Sequence, residues 1–241
     1  MCGRFVASSA PDEVARYFGA EPPSEQLIEA NYNVAPTNDV VTVREFDGRR
    51  ELAVCHWGLV PGWAKDLKVG NRMINARAET VATKNAFRRA FARRRCIVPA
   101  DGFYEWAAVP GHKKKQPYFI SRVDGEPLAF AGLWETWRDP ASPDDAVVRI
   151  RSTTIVTTSA NDTIAPVHDR MPVVLAPAHW DDWLDPANDD TTALGALLVP
   201  APEGLLRLWP VGLDVNQVRN KGPQLIAEID HIDPDGLGPD G

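Results

Sequence analysis

The residue whose chemistry stands out first is Cys2, in the opening stretch MCGRF. We expect Met1 to be removed because the residue after it is small, which leaves Cys2 with a free α-amine beside its thiol. An α-amine has a reference pKa of ~7.7–8.0, so a good part of it is neutral at physiological pH. Such an amine attacks an aldehyde to give a Schiff base, and the neighbouring thiol then closes a five-membered thiazolidine. The cation of Arg4, two residues on, would lower the thiol pKa.

Two other interpretations of Cys2 stay open on this residue alone. A processed N-terminal thiol also attacks amides, with its own amine as general base. In the second interpretation, the cysteine is incidental and takes part in no reaction.

Two further side chains have the chemistry of proton transfer. Glu105 lies between Tyr104 and Trp106 in DGFYEW, directly after the apolar CIVP. A carboxyl among aromatic rings is often desolvated, which raises its pKa and suits it to acid–base work near neutrality; an ion pair with a nearby arginine is the alternative. His168 in APVHDRMP fits an acid–base group or a phosphate contact, although a single histidine is more often structural.

Charge is distributed unevenly along the 241 residues. The formal net charge of −7 argues against a nucleic-acid partner, but residues 72–95 contain eight Lys/Arg and one acid. Residues 181–241 contain twelve Asp/Glu and three Lys/Arg. A local positive field matters more to a polyanion than the total charge does. The alternative for the basic stretch is a solvated helix face.

Aromatic and proline residues near these cations suit single-stranded nucleic acid. In WGLVPGWAKD, Trp57 and Trp63 flank a Pro-Gly turn, and we expect the first in the core and the second at the surface. An aromatic ring that stacks on an unpaired base contributes about 1–3 kcal/mol. Pro36, in NYNVAPT, forms a rigid bend that would wedge between bases.

The sequence lacks the motifs that are typical of several classes of protein. The cysteines, at 2, 55 and 96, are odd in number and widely spaced, which predicts neither a disulfide framework nor a zinc knuckle. No HExxH, GxGxxG, P-loop or GxSxG pattern occurs, so we expect no metal and no nucleotide cofactor. No apolar run is long enough to span a membrane and no signal peptide is recognisable, which favours the reducing cytoplasm.

The elements that must position these residues are mostly strands. Strands are predicted at residues 40–46, 51–60, 116–123, 127–137, 149–160, 171–177 and 205–212, and helices at 11–18, 86–94 and 178–184. Asp47-Gly48 and Asp124-Gly125 each predict a hairpin turn. Ser8 or Ser9 is predicted to cap the first helix. We therefore expect an α+β fold in a single domain, with a mainly antiparallel, barrel-like β core and peripheral helices. The domain would span residues 1–225, followed by an acidic, disordered tail at 226–241.

Nine stretches, in this order, resemble the SRAP (SOS response-associated peptidase) family, whose members crosslink to abasic sites in single-stranded DNA. They are MCGR, NYNVAPT, WGLVPGWAKD, INARAET, RRCIVPADGFYEW, PYFI, FAGLWE, TTIVTTSAND through HDRMPVVL, and VNQVRN. They extend from Cys2 to about Asn220, nearly the whole chain. The resemblance implies a β-rich α+β fold with a positive groove that ends at the N-terminal cysteine.

The resemblance also implies roles for individual residues. Cys2 would form the thiazolidine with the ring-opened sugar, Asn75 would hold the N-terminus or sugar, and Glu105 would be the general acid–base. His168 would assist sugar opening and contact the adjacent phosphate. The DNA-binding residues would be Arg4, Pro36, Trp63, Arg72, Arg77 and Arg170.

These implications describe a DNA–protein crosslinking enzyme, which senses and shields abasic sites, and which is classed with thiol hydrolases and lyases. Its partner would be single-stranded DNA containing abasic sites, with no membrane and no cofactor. It would be a cytoplasmic monomer, associated with the nucleoid when bound to DNA. Peptidase activity would release whatever precedes Cys2, and for Met1 alone an aminopeptidase suffices.

Two alternatives from other classes remain. Glutamine amidotransferase domains also begin MCG, so an N-terminal-nucleophile amidohydrolase with glutaminase activity is the first. The second is a non-covalent binder of single-stranded DNA in which Cys2 has no role; its binding would be salt-sensitive and independent of the lesion.

Overall fold

A computed structural model describes residues 2–21, 28–110, 113–143 and 146–230. Within these ranges lie twelve strands: β1 Phe5–Ala7, β2 Asn31–Val34, β3 Asp39–Phe46, β4 Arg49–Trp57, β5 Asn75–Arg77, β6 Arg95–Ala100, β7 Gly102–Ala107, β8 Gln116–Arg122, β9 Leu128–Arg138, β10 Arg149–Ser159, β11 Arg170–Pro172 and β12 Leu206–Pro210. The α-helices there are α1 Pro11–Phe18, α2 Arg88–Arg93, α3 Trp180–Leu184 and α4 Thr191–Ala196. Short 3₁₀ segments include Leu67–Arg72 and Leu213–Asn216.

The core of the fold is a closed, five-stranded barrel. Strands β4, β3, β6 and β9 are antiparallel neighbours, and β10 pairs with both β9 and β4 and so closes the ring. Closure removes the exposed strand edges that an open sheet would leave. Beyond the ring, β10 continues and pairs with β5 and β11. The predicted α+β fold with a barrel-like β core is confirmed.

A second sheet, in the order β12-β8-β7-β1-β2, packs its inner face on the barrel. Phe5 of β1 contacts two barrel rings edge to face, with centroid distances of 5.1 Å to Trp57 and 6.3 Å to Phe130. Side chains alternate between the faces of a strand, so the neighbouring residues point the other way. This outer face is covered by the segment 211–226, which contributes Val211, Val215 and Leu225 to a separate apolar cluster.

One of the two predicted hairpins is present and the other is wrong. Strands β3 and β4 join at Asp47-Gly48, where both residues have positive φ, as a tight two-residue turn requires. Strands β8 and β9, on either side of Asp124-Gly125, do not pair, because β8 belongs to the second sheet and β9 to the barrel. Asp-Gly chemistry reverses the chain locally, but it does not determine which strand is the partner.

Helix α1 begins and ends where the sequence predicts, although its cap differs. The capping position is Ala10, without a side-chain hydrogen bond, and Pro11 begins the helix. The side chains of Ser8 and Ser9 instead donate to the carboxylate of Asp101, at the β6–β7 junction. The two serines therefore join the segment after β1 to the β6–β7 junction rather than capping the helix.

A long loop between β4 and β5 carries Trp63 and Arg72. Its two ends meet where Gly58, with φ of 138°, faces Gly70, and a Cβ on Gly58 would lie 2.7 Å from the Gly70 carbonyl oxygen. Leu59 N donates to Met73 O at 3.1 Å beside this contact. Only glycine permits so close an approach of two backbones, so these residues fix where the loop leaves the barrel.

Near its C-terminal end the described chain still contacts the fold. Glu228 bridges to Val211, and Ile229 N donates to Pro210 O at 3.0 Å. Most of the predicted tail, residues 231–241, lies outside the described residues. None of the helices found in the four described ranges is long and apolar enough to cross a membrane.

Candidate active site and nucleic-acid interface

Cys2 is buried between the barrel and the second sheet, with 0% of its surface exposed. Its carbonyl oxygen accepts a hydrogen bond of 2.9 Å from Asn75 Nδ2. Asn75 begins β5, and its register opposite Ile155 of β10 attaches it rigidly to the barrel. The other amide atom, Asn75 Oδ1, is buried and has no hydrogen-bond partner among the described residues. A buried acceptor of this kind is available to a substrate hydroxyl or to an amine.

The environment of the Cys2 thiol raises its pKa above the usual range. Burial is the main cause, and the nearby charge of Glu105 adds to it. The expectation that Arg4 would lower this pKa through its side chain is wrong, because desolvation dominates. The thiol is therefore protonated near neutrality, and it needs a base before it can attack.

Glu105 has the properties of that base. It lies on β7, 3% exposed, and burial raises the pKa of its carboxyl, whereas His168 and Lys115 nearby lower it. A carboxyl with a raised pKa exchanges its proton closer to neutral pH than an exposed glutamate does. Its coupling to both Cys2 and His168 indicates that the three side chains share one site.

Sequence reasoning missed Tyr118, which lies directly opposite Glu105 in the β7–β8 register. Directly opposed residues have Cβ atoms about 4.5–5.5 Å apart, so the half-buried side chain of Tyr118 is a neighbour of Glu105 on the same face of the sheet. The motif PYFI contains this tyrosine, but nothing in the sequence pairs it with Glu105. The signal would have been the alternation of the β7–β8 hairpin.

His168 lies in the loop between β10 and β11. Its Nδ1 accepts from the Arg170 backbone N–H at 2.9 Å, which places the proton of the neutral ring on Nε2. The same Nδ1 lies 2.9 Å from Asp169 Oδ1, so a protonated ring would form an ion pair with that carboxylate. The loop therefore fixes the orientation of the ring through Nδ1.

Arg170, predicted to bind phosphate, already has protein partners. Both of its terminal nitrogens donate to the carboxylate of Glu79, one of them at 3.1 Å, and Nη2 also donates to Thr157 O at 2.7 Å. The hydrogen bonds from this guanidinium lower the pKa of Glu79. These contacts connect the His168 loop to β10 and to the end of β5.

Arg4 lies on the outer face of the second sheet, with its guanidinium 5.8 Å from the Trp106 ring. Its Nη1 donates to Asn33 Oδ1 at 2.7 Å and to Val215 O at 2.8 Å. Glu105 alternates with Trp106 along β7 and so points to the inner face. The predicted phosphate contact at Arg4 therefore stays a prediction, with the guanidinium engaged elsewhere in this structure.

The remaining predicted DNA-binding residues are solvent-accessible. Trp63 is 59% exposed, whereas Trp57 is fully buried, as the sequence predicts for both. Arg72 and Arg77 are exposed at either end of the segment that contains Asn75. Pro36 is half-buried, and Thr37 after it has a φ of 72°, an uncommon backbone conformation for a residue other than glycine.

The basic stretch 72–95 divides into two groups. Arg95 is buried and donates to carbonyls at the ends of α2 and α3, and Arg94 forms an ion pair of 2.6 Å with Glu135. The exposed cations are Arg72, Arg77, Lys84, Arg88, Arg89 and Arg93. The positive field toward solvent therefore comes from six of the eight cations. No trio of residues in the described ranges is placed to hold a metal ion.

Comparison with known proteins identifies the family. The model of the SOS response associated peptidase (SRAP) family matches residues 1–218. The chain belongs to the SRAP family. The match includes every residue singled out above as a candidate for catalysis or DNA binding.

Several SRAP relatives are known by name. The chain is 38% identical over 229 residues to the abasic site processing protein YoqW of Bacillus subtilis, covering 94% of this chain and 99% of the relative. It is 32% identical over 236 residues to the abasic site processing protein YedK of Escherichia coli, covering 95% and 100%. A solved protein from Bacteroides thetaiotaomicron has the same fold, with a TM-score of 0.83 at 24% identity, covering 95% and 100%.

Proposed function

We propose that this SRAP protein processes abasic sites in DNA and that it does so by forming a covalent link through Cys2. The observation that carries the proposal is the placement of Cys2 beside the buried carboxyl of Glu105, with its carbonyl held by Asn75. The relatives named as abasic site processing proteins support the substrate class.

The chemistry follows from these groups once Met1 has been removed. The Cys2 amine attacks the aldehyde of the ring-opened deoxyribose, and the resulting carbinolamine loses water to give an imine. The Cys2 sulfur then adds to the imine carbon, while its proton passes through Glu105 to the nitrogen. One aldehyde and one aminothiol become one thiazolidine and one water. A closed ring resists hydrolysis better than an open imine, so the lesion is shielded.

His168 has the role of opening the sugar. The closed furanose exposes its aldehyde only after a proton leaves the hydroxyl at C1′ and another reaches the ring oxygen. The neutral imidazole of His168, with its proton on Nε2, is one partner for this proton transfer, and Glu105 is the other. Both groups lie in one site, so acid and base act on the same sugar.

The exposed surface around the site suits a single strand. Arg72 and Arg77 offer charges to phosphates, and Trp63 offers a ring on which an unpaired base stacks. The Pro36 and Trp63 loops would block a continuing duplex. Glutaminase activity does not require a surface that binds a single strand. Non-covalent DNA binding does not require a buried aminothiol next to a carboxyl.

The proposal is tested with the full-length protein and a single-stranded oligonucleotide that carries one abasic site. We expect an adduct that survives heating in denaturant, together with a mass increase equal to the oligonucleotide less one water. An otherwise identical oligonucleotide without the lesion should give no adduct. Equal retention of both strands, lost on denaturation, would favour the non-covalent binder, and turnover of glutamine would favour the amidohydrolase.

Trp63→Ala should weaken binding to single-stranded DNA by about 5- to 150-fold, since one stacked base contributes about 1–3 kcal/mol. The matched control is Phe46→Ala, which removes another exposed ring at the end of the β3–β4 hairpin away from Trp57. Fluorescence anisotropy of a labelled strand measures both. Equal losses for the two variants would show that Trp63 has no special contact with DNA.

A further inference from the structure

The C-terminal segment 213–221, which contains the motif VNQVRN, contacts both β2 and Arg4, two residues after Cys2. Asn33, fully buried on β2, shares its two amide hydrogens among the carbonyl oxygens of Val215, Gln217 and Asn220, at 3.1, 3.1 and 2.9 Å. Its side-chain oxygen accepts from Arg4. One buried amide thus joins three backbone carbonyls of this segment to Arg4.

The same segment also contacts the strand that carries Glu105. Trp106 Nε1 donates to Asn216 Oδ1 at 2.8 Å, and the Arg4 guanidinium lies over the Trp106 ring. Tyr104 N donates to Arg4 O at 3.0 Å, which extends the β1–β7 pairing toward Cys2. Arg4 therefore bonds to β2, to β7 and to the C-terminal segment.

Cys2 needs such an anchor because strand β1 spans only Phe5–Ala7 and its register with β2 shifts along that length. Cys2 lies three residues before the strand begins, and chain ends fray unless they are tied down. Asn75 holds the Cys2 carbonyl from one side. The Arg4 side chain is the next attachment along the chain.

We propose that Arg4 and Asn33 are positioning residues, which fix the Cys2 amine and thiol for attack by fastening the start of the chain to the segment 213–221. The inference rests on the proposed crosslinking function and replaces a direct phosphate contact as the role of Arg4. Asn33 has no exposed surface, so an effect of its substitution on the reaction has to act through other residues.

The test separates crosslinking rate from DNA binding in Arg4→Met, which retains most of the apolar stem but loses the fork of donors. We expect the single-turnover rate at saturating abasic DNA to fall about 10- to 100-fold, since misplacing a reactive group by about 1 Å costs this much. The affinity for intact single-stranded DNA, and its dependence on salt, should stay as in the wild type. Arg77→Met should do the reverse, with weaker binding and a salt slope smaller by about one.

Further variants guard against a simple folding defect. Asn33→Ser should reproduce the slow rate of Arg4→Met, and the double variant should be no slower than the slower single variant, because both act through one network. Arg4→Lys should also be slow, since an ammonium lacks the planar fork, although it would preserve a phosphate contact. Arg207→Met, on the exposed side of β12, should change nothing.

The outcomes distinguish the two proposals. Arg4→Met with a normal maximal rate, weaker DNA binding and a reduced salt slope would establish Arg4 as a phosphate ligand and overturn the inference. A rate restored by Arg4→Lys would do the same. A wild-type protein that forms no adduct would overturn the proposed function, and with it this role for Arg4.

Discussion

Cys2→Ala should form no heat-stable adduct with abasic single-stranded DNA, while its non-covalent affinity stays within about twofold of the wild type. The variant retains an α-amine, so it still forms an imine, but no sulfur is present to close the ring. Borohydride should therefore trap a crosslink for Cys2→Ala, whereas the wild-type adduct should be stable without reductant. Denaturing gels with and without borohydride measure the difference.

The matched control for this experiment is Cys55→Ala. Cys55 is a buried free thiol on β4, and its nitrogen is part of a peptide bond. The Cys55→Ala variant should therefore crosslink at the wild-type rate. A heat-stable adduct with Cys2→Ala in the absence of reductant would contradict the thiazolidine mechanism.

Glu105→Gln should slow adduct formation by about 10²- to 10⁴-fold, the usual contribution of a positioned acid–base group. The amide has nearly the same shape, so DNA affinity should change little. Burial raises the pKa of Glu105, so the wild-type rate should rise with pH as this carboxyl ionises, and the variant should lack that part of the profile. Glu126→Gln, on the exposed turn after β8, is the matched control.

The same substitution has a predictable effect on stability. A carboxyl whose pKa is higher in the folded than in the unfolded state binds its proton more tightly when folded. The wild type should lose this contribution as pH rises above the unfolded value of ~4.3. Glu105→Gln cannot titrate, so its melting temperature relative to the wild type should increase from pH 4 to pH 7. A constant difference across this range would show that folding does not raise the pKa of Glu105, and a wild-type crosslinking rate in the variant would remove Glu105 from the mechanism.

Local features of the fold were predictable because they depend on local chemistry. The two-residue turn at Asp47-Gly48 and the extent of α1 follow from turn propensity and apolar periodicity. The partner of β8 did not follow, because the Asp124-Gly125 turn reverses the chain whether or not the next strand pairs with it. Pairing across two sheets is set by burial of both faces, which no short window of sequence contains.

The candidate site shows the same division. The aromatic neighbours of Glu105 predicted that its carboxyl is desolvated, and in the structure Glu105 is buried. Arg4 was assigned by its distance along the chain from Cys2, but its guanidinium bonds to Asn33 and Val215 on the outer face of the second sheet. Arg95 was counted with the solvent-facing cations, whereas it is buried against helix-end carbonyls. Sequence spacing gives proximity, and the face of a strand decides contact.

Strand β10 joins the halves of the site through its register. One edge of β10 pairs with β5 and so holds Asn75, while the end of β10 pairs with β11, which begins at Arg170. A single inserted residue in β10 would exchange its inward and outward side chains and separate these two positions from each other. Evolutionary changes of length in SRAP proteins should therefore accumulate in the turn between β9 and β10, with the strand itself left at constant length.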